Sequence, residues 1–336
     1  MNFQVLIILL SALLTMAQSP SSTFVLDPYD SKDPYYTSLV RHNLGSLHLN
    51  LSARDYSANA ALNSPSISWN YDGNLIISRA SAIAALEGVV EGSFHGLQLP
   101  DIYHVVDGHI GAVLYVLQGI QTGPLAGLPL QENGRFRAMG AELMKFNEEA
   151  LLEDLITVDP IAIIQAQMSH QIEPSPATNS TLLRENPQTS PEYRAQLKQN
   201  LKLLHRNVNA GNAAINANAA VENVEVNENG EVQQGRDAFV KAIAATNAAK
   251  GAFPEKKFHD DYVLADGTFG AIEYAWQAAQ TSDYAEFKLA EGKQVRMRGF
   301  LFFEFNEEGR IVKVVSVYDE GVVTTQLSGK AGYLYP

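Results

Sequence analysis

Apolar residues at Leu39, Val40, Leu44, Leu47 and Leu51 recur three and four positions apart, which predicts an amphipathic helix over Tyr35 to Ala53. Tyr193 to Ala210 carries the same spacing, and a small-residue segment follows each helix (Ser57 to Pro65, Asn212 to Val221) that suits a second short helix. Ile67 to Tyr71, Asp72-Gly73 and Leu75 to Ile77 then read as strand, turn and strand, with Asn229-Gly230 marking the same turn further on. Arg79 to Val90 and Arg236 to Ala249 are Ala-rich and read as helices. Beyond them the chain turns to long extended runs: Asp101 to Val106, Ile110 to Ile120, Phe136 to Phe146 and Leu151 to Val158. Asp261 to Ala265, Phe269 to Gln280, Val295 to Phe305 and Ile311 to Tyr318 repeat them. Helices first and a meander of strands afterwards predict an α+β fold, with helices covering one face of a mostly antiparallel sheet.

The pattern occurs twice because the sequence does. Asp107, Gly108, Gly111, Ala112, Tyr115, Gln118, Gly140 and Phe146 meet the same residue type 159 positions later (266−107). Upstream the offset is 157 (191−34), and it joins Tyr36, Leu44, Leu47, His48 and Asn70 to Tyr193, Leu201, Leu204, His205 and Asn227. The chain is a tandem of two related domains, expected at 34–168 and 191–336. The Pro/Ser/Thr/Asn-rich stretch 169–190 is expected as a linker and 18–33 as an N-terminal arm.

Composition narrows the function. A net charge of −13 over 336 residues argues against a nucleic-acid partner. Residues 1–17 read as a secretory signal: Val5 to Leu14 is too short to span a bilayer, and Thr15 and Ala17 are small residues before a cut at Gln18. The mature chain is thus expected to be secreted and free of membrane. It has no cysteine, so its cores must stabilise it without disulfides. Asn50 and Asn179 open glycosylation triplets. No cofactor motif stands out, and His259 with Asp260 and Asp261 lacks the spaced partners of a metal site.

Asp107-Gly-His-Ile-Gly-Ala-Val-Leu-Tyr-Val-Leu-Gln-Gly, Thr122-Gly123-Pro124, Gly127-Leu128-Pro129 and the ending Val158-Asp159-Pro160 together resemble the SnoaL-like polyketide cyclases. Phe253-Pro254-Glu255 extends the likeness to the second half. The resemblance implies a nuclear-transport-factor-two-like fold, a cone of curved sheet closed by helices over a hydrophobic pocket. Two departures bear on the chemistry: Gln121 stands where the family often has His, and Thr281-Ser282-Asp283-Tyr284 replaces the second Gly/Pro loop.

Acid–base work in such a pocket needs a carboxylate whose pKa is raised by desolvation. Asp159 and Asp319 are the candidate bases, since each ends a last strand of mostly apolar residues. For Asp159 the rival role is helix capping ahead of Pro160; Asp319 precedes no helical pattern. Tyr115 and Tyr274 are the candidate donors. Period two puts Tyr115 on one face with Val113 and Leu117, and Tyr274 with Ile272 and Trp276; these four apolar residues are expected to line the ligand. His104 and Gln121 complete the ligand-binding candidates. Leu114, Gln118, Glu273 and Gln277 fall on the opposite face, expected to be surface or to lie between the domains. Three functions remain open: a cofactor-free cyclase or isomerase acting on an apolar carbonyl compound, a secreted carrier of an apolar metabolite, or an interaction module. In each, the two domains are expected to pair through their sheets as an internal pseudo-dimer.

Overall fold

A computed structural model describes residues 34–71, 74–123, 130–131, 134–174, 183–184, 186–187, 189–245, 252–285, 287–289 and 293–329. The expected signal, arm, Asn179 triplet, Asp72-Gly73 turn and most of the first Gly/Pro loop lie outside the described residues.

The first half runs α1 (Pro34–Ser52), α2 (Tyr56–Ala61), β1 (Asn63–Tyr71), β2 (Asn74–Ile77) and α3 (Arg79–Ser93). β3 (Phe94–Gln98), β4 (Asp101–Asp107), β5 (Ile110–Gln121), β6 (Arg135–Phe146), β7 (Leu152–Val158) and α4 (Ile161–Met168) follow. The second half runs α5 (Pro191–Asn209), a 3-10 turn (Ala213–Ala219), β8 (Ala220–Glu228), β9 (Glu231–Gln234) and α6 (Arg236–Ile243). It continues with β10 (Lys257–Asp266), β11 (Phe269–Ala279), β12 (Gln294–Phe305), β13 (Ile311–Tyr318) and α7 (Gly321–Leu327). The sheets are ordered β2-β1-β7-β6-β5-β3, with β4 also on β5, and β10-β11-β12-β13-β8-β9. All pairings are antiparallel except β1 with β7 and β8 with β13. Each half is an α+β cone, its helices packed on the concave face of a mostly antiparallel sheet.

Some elements depart from the sequence reading. β3 was hidden in a short polar-looking segment, and β10 begins at Lys257 rather than at residue 261 because Lys257 to Asp260 pair with β11 despite their charge. Tertiary pairing overrides local polarity there. The segment after Asp319 is a helix, α7, burying Val322, Val323 and Leu327. It is only two turns long, too short to show a period. The Asn229-Gly230 turn has both residues at positive φ (49° and 99°), as a tight hairpin requires.

The central strands are apolar on both faces because both are covered. Val113 and Tyr115 of β5 face the first half's core, while Ala112 and Leu114 join a third cluster with Leu143, Val158, Ala271, Phe300, Phe302 and Val317, which lies between the two sheets. The polar contacts across this layer are reciprocal. Arg41 reaches Asp266 at 2.8 Å, and its repeat mate Lys198 reaches Asp107, the mate of Asp266, at 2.7 Å. Val106 N–H donates to Asp266 Oδ2 (3.1 Å) and Ala265 N–H to Asp107 Oδ2 (3.2 Å). Each of these contacts is thus made once in each direction by repeat mates. On this same face Glu273 is buried and ion-paired with Arg298 at 2.7 Å. The last part of the linker is tied to both halves: Arg184 N–H donates to Ile102 O, and the Asn186 side-chain amide to Asp266 O.

Candidate functional site

A cavity of about 320 Å³ opens inside the first cone. Its walls are apolar side chains of α1, α3, α4 and the inner sheet face, among them Leu47, Leu86, Phe94, Leu117, Phe136 and Ile164. Period two along the strands delivers its polar groups: Thr157 and Asp159 from β7 and its end, Glu142 from β6, Trp69 and Tyr71 from β1, and Tyr115 from β5.

Asp159 is the centre of this set, with 4% of its surface exposed. Tyr115 Oη–H donates to its Oδ1 (2.7 Å) and Tyr71 Oη–H to its Oδ2 (3.2 Å). Gly140 makes room for this pair, because a Cβ there would stand 2.3 Å from Asp159 Oδ1 and 2.5 Å from the Tyr115 ring. Burial pushes the Asp159 carboxyl up to about 6; the Tyr115 hydroxyl opposes that rise and the Glu142 charge adds to it. Burial, then the Asp159 charge, hold the Tyr115 phenol well above its ordinary value, so it stays a neutral donor. Asp159 does not cap α4 with its side chain. Pro160 is the N-cap there, without a side-chain bond.

Beside Asp159 lies a second network. His48, on α1, donates from Nδ1 to Asp101 Oδ1 (2.5 Å) and from Nε2 to Glu142 Oε2 (3.1 Å), and its ring packs edge-on to Tyr115 at 4.5 Å. Burial disfavours the imidazolium, but the carboxylates of Asp101 and Glu142 outweigh it and raise the pKa to about 10. Thr157 Oγ1–H donates to Glu142 Oε1 (2.9 Å), and Trp69 Nε1–H donates to Thr157 Oγ1 (2.9 Å). Glu142 is therefore held as an acceptor on both oxygens.

The second cone repeats part of this. His205 bonds Asp260 through Nδ1, as His48 does Asp101, and Asn216 donates to Leu204 O as Asn59 does to Leu47 O. The acids differ. Gly299, the mate of Gly140, pairs with Tyr318, so Tyr318 occupies the position of Asp159, and Leu301 that of Glu142. Asp319 falls one residue later, and a one-residue step turns a strand side chain to the other face. Its Oδ1 accepts from Ala162 N–H of α4 (3.0 Å) and from Gly321 N–H (3.1 Å). Burial raises this carboxyl to about 6, against those two amides. Asp319 and Tyr274 are thus not brought together as Asp159 and Tyr115 are; Tyr274 packs in an aromatic core with His205 and Phe258.

Of the expected ligand-lining residues, Leu117 lines the cavity and Val113 lies behind it in the core. Ile272 and Trp276 are core residues of the second cone. His104 lies outside the cavity wall and donates from Nε2 to Asp101 Oδ2 (2.7 Å), because its position on β4 faces α1 at Gly45. Gln121 also lies outside it: its amide donates to Gly123 O (3.1 Å) and its Oε1 accepts from Gln131 N–H (3.0 Å), pinning the loop ends. Sequence reasoning missed Glu142, Tyr71 and Thr157 and gave His48 no role beyond its place in the repeat. The available signal was Glu142 itself, a lone charge on an inner strand face between Gly140 and Met144.

A SnoaL-like polyketide cyclase domain is matched by its family model at residues 199–327. No curated protein matches this chain. Among solved structures, the chain is similar to a candidate hydroxylase from Streptomyces galilaeus (14% identity, TM-score 0.35), over 43% of this chain and 86% of that one. It is also similar to a candidate polyketide cyclase from Pseudomonas putida (18%, TM-score 0.35; 40% and 97%). A candidate ketosteroid isomerase from Kribbella flavida aligns at 18% identity and TM-score 0.30, over 44% and 90%.

Proposed function

We propose that the first cone is a cofactor-free acid–base site for an apolar carbonyl compound, of the cyclase or isomerase type, and that Asp159 is its base. The observation that carries this is a buried carboxylate, raised to about 6 and bonded to two phenols, at the polar end of an apolar cavity. At pH 7 such a group is about nine-tenths ionised yet basic enough to take a proton from carbon. The Asp159 carboxylate removes a proton from the carbon next to the substrate carbonyl, and the C–H electron pair moves into the enolate. Once protonated, Asp159 binds the phenols less strongly, and Tyr115 or Tyr71 turns its O–H to the enolate oxygen. Return of the proton to another carbon completes an isomerisation; attack of the enolate carbon on a second carbonyl, whose oxygen then takes the proton back from Asp159, completes a cyclisation.

The second cone serves as an internal partner: the two halves form a pseudo-dimer through their sheets, with the one acid–base site in the first. A secreted chain of this kind would meet its substrate outside the cell. Binding without chemistry is the second reading, favoured by the commitment of both phenols to Asp159.

The test uses 2-tetralone, a small neutral ketone with acidic α-protons, in D2O. Proton NMR should show exchange faster than in buffer, lost in Asp159→Asn and kept in Asp319→Asn. Equal exchange in wild type and Asp159→Asn would reject Asp159 as base. Saturable binding of 2-tetralone without exchange would favour the carrier.

A further inference from the structure

The duplication supplies a control for each polar group in the first cavity. A group that serves the fold should recur in the second cone, and two do: His48 as His205 and Asn59 as Asn216. Asn63 does not. Its mate is Ala220, and the two are aligned by their partners, since Asn63 pairs with Leu152 and Ala220 with Ile311. The fold accepts a methyl group at this place.

Asn63 nevertheless lines the cavity with 2% of its surface exposed. Its amide nitrogen makes one long bond to Asn59 Oδ1 (3.3 Å), and its Oδ1 has no partner among the described residues. Asn59 is already committed through its own amide to Leu47 O. Exchanging the nitrogen and oxygen of Asn63 would leave a donor unpaired instead of an acceptor, so a polar atom stays unmet either way. Buried polar atoms without partners are rare and costly, and the residue that carries this one lines the cavity, so a small turn of its side-chain amide would offer the unmet atom to what enters.

Its place sets the geometry. Asn63 pairs with Leu152 at the start of β7 and Asp159 follows the end of that strand, seven residues on, or roughly 20 Å of strand. Between the two, the inner face carries Ile67, Leu155 and Met144.

We propose that Asn63 forms a second polar subsite, which selects an elongated, largely apolar ligand bearing a hydroxyl at the end remote from Asp159. This rests on the reading of the same cavity given above and names the ligand class it takes. The Asn63 side chain accepts the ligand hydroxyl, and the apolar wall between holds the ligand body.

Calorimetric titration of the full chain with 4-hydroxychalcone and with chalcone, which are shorter than that span and so probe its Asn63 end alone, tests this without any turnover. The wild type should bind the hydroxylated probe roughly 5- to 10-fold more tightly, the worth of one good neutral hydrogen bond. Asn63→Ala, which copies the residue of the second cone, should bring that ratio to about one while chalcone affinity stays within about threefold. Asp159→Asn should keep the ratio, so loss of the base and loss of the subsite read out separately. A ratio near one in wild type, a preference that survives Asn63→Ala, a preference that disappears in Asp159→Asn alone, or no binding of either probe would each overturn the proposal.

Discussion

Asp159 and Tyr318 occupy one position of the repeat, each beside a glycine of the neighbouring strand: Tyr318 pairs with Gly299, and a Cβ on Gly140 would stand 2.3 Å from Asp159 Oδ1. In the first cone that position holds a carboxylate at the cavity; in the second it holds a phenol in a packed core. The difference puts the cavity carboxylate in one half, and the predictions below follow from the role proposed for it.

Exchange or turnover at the first cavity should rise with pH through about 6, as Asp159 becomes ionised, and level off above 7. Asp159→Asn should lower the rate about 100- to 10,000-fold and flatten that rise. A pH–rate profile between 4.5 and 8 checks both.

The same substitution should stabilise the protein at neutral pH. The folded pKa of Asp159 lies above its unfolded value, so the native state binds more protons between about pH 4 and 6. Wild-type stability falls across that window, and the full penalty stands above it. Asp159→Asn has no charge to bury and should gain up to about 3 kcal/mol over wild type at pH 7.5 relative to pH 4. Urea unfolding at the two pH values measures the difference.

His48→Leu should destabilise by about 3–5 kcal/mol, because it leaves Asp101 and Glu142 without their shared cation. For His48 the folded pKa is also raised, but here the charged form is favoured: its contribution is full below 6.5 and is lost as pH rises through about 10. The gap in melting temperature between wild type and variant should therefore be widest near pH 6 and narrow toward pH 10.

The reciprocal ion pairs between the sheets are unequal. The Asp266 side chain is 1% exposed and that of Asp107 is 17% exposed. Arg41→Ala should cost about 2–3 kcal/mol by leaving a buried carboxylate unpaired, while Lys198→Ala should cost less than about 1 kcal/mol. Chemical denaturation of the two single variants separates them, and equal costs would contradict the account of this layer.

The sequence carried the fold well because its signals were redundant. The helical spacing of Leu39 to Leu51 and of its mate, the two-sided apolar strands and the fixed offsets all pointed to a duplicated cone. It carried Tyr115 and Asp159 for the same reason, since both stand at strand positions whose period faces inward. Asp319 was misplaced by one residue: the offset of 159 that fixed Asp107, Gly140 and Phe146 puts Tyr318, not Asp319, at the position of Asp159. His48 was passed over because a histidine at the same helix position in both halves is explained by packing. The Glu142 carboxylate beside it, where the second cone has Leu301, distinguishes the two. Tyr71 and Asn63 could not be placed from sequence, because β1 reaches the cavity only by pairing parallel with a strand whose partner residues lie 86 (157−71) to 89 (152−63) positions on.

The most direct measurement is a carbon-13 NMR titration of protein labelled at the aspartate carboxyls, with Asp159→Asn supplying the assignment. One carboxyl signal, missing in the variant, should titrate near pH 6. If the missing signal titrates at or below pH 4, the Asp159 carboxyl is an ordinary solvated acid, and the cavity does not hold the base assigned to it.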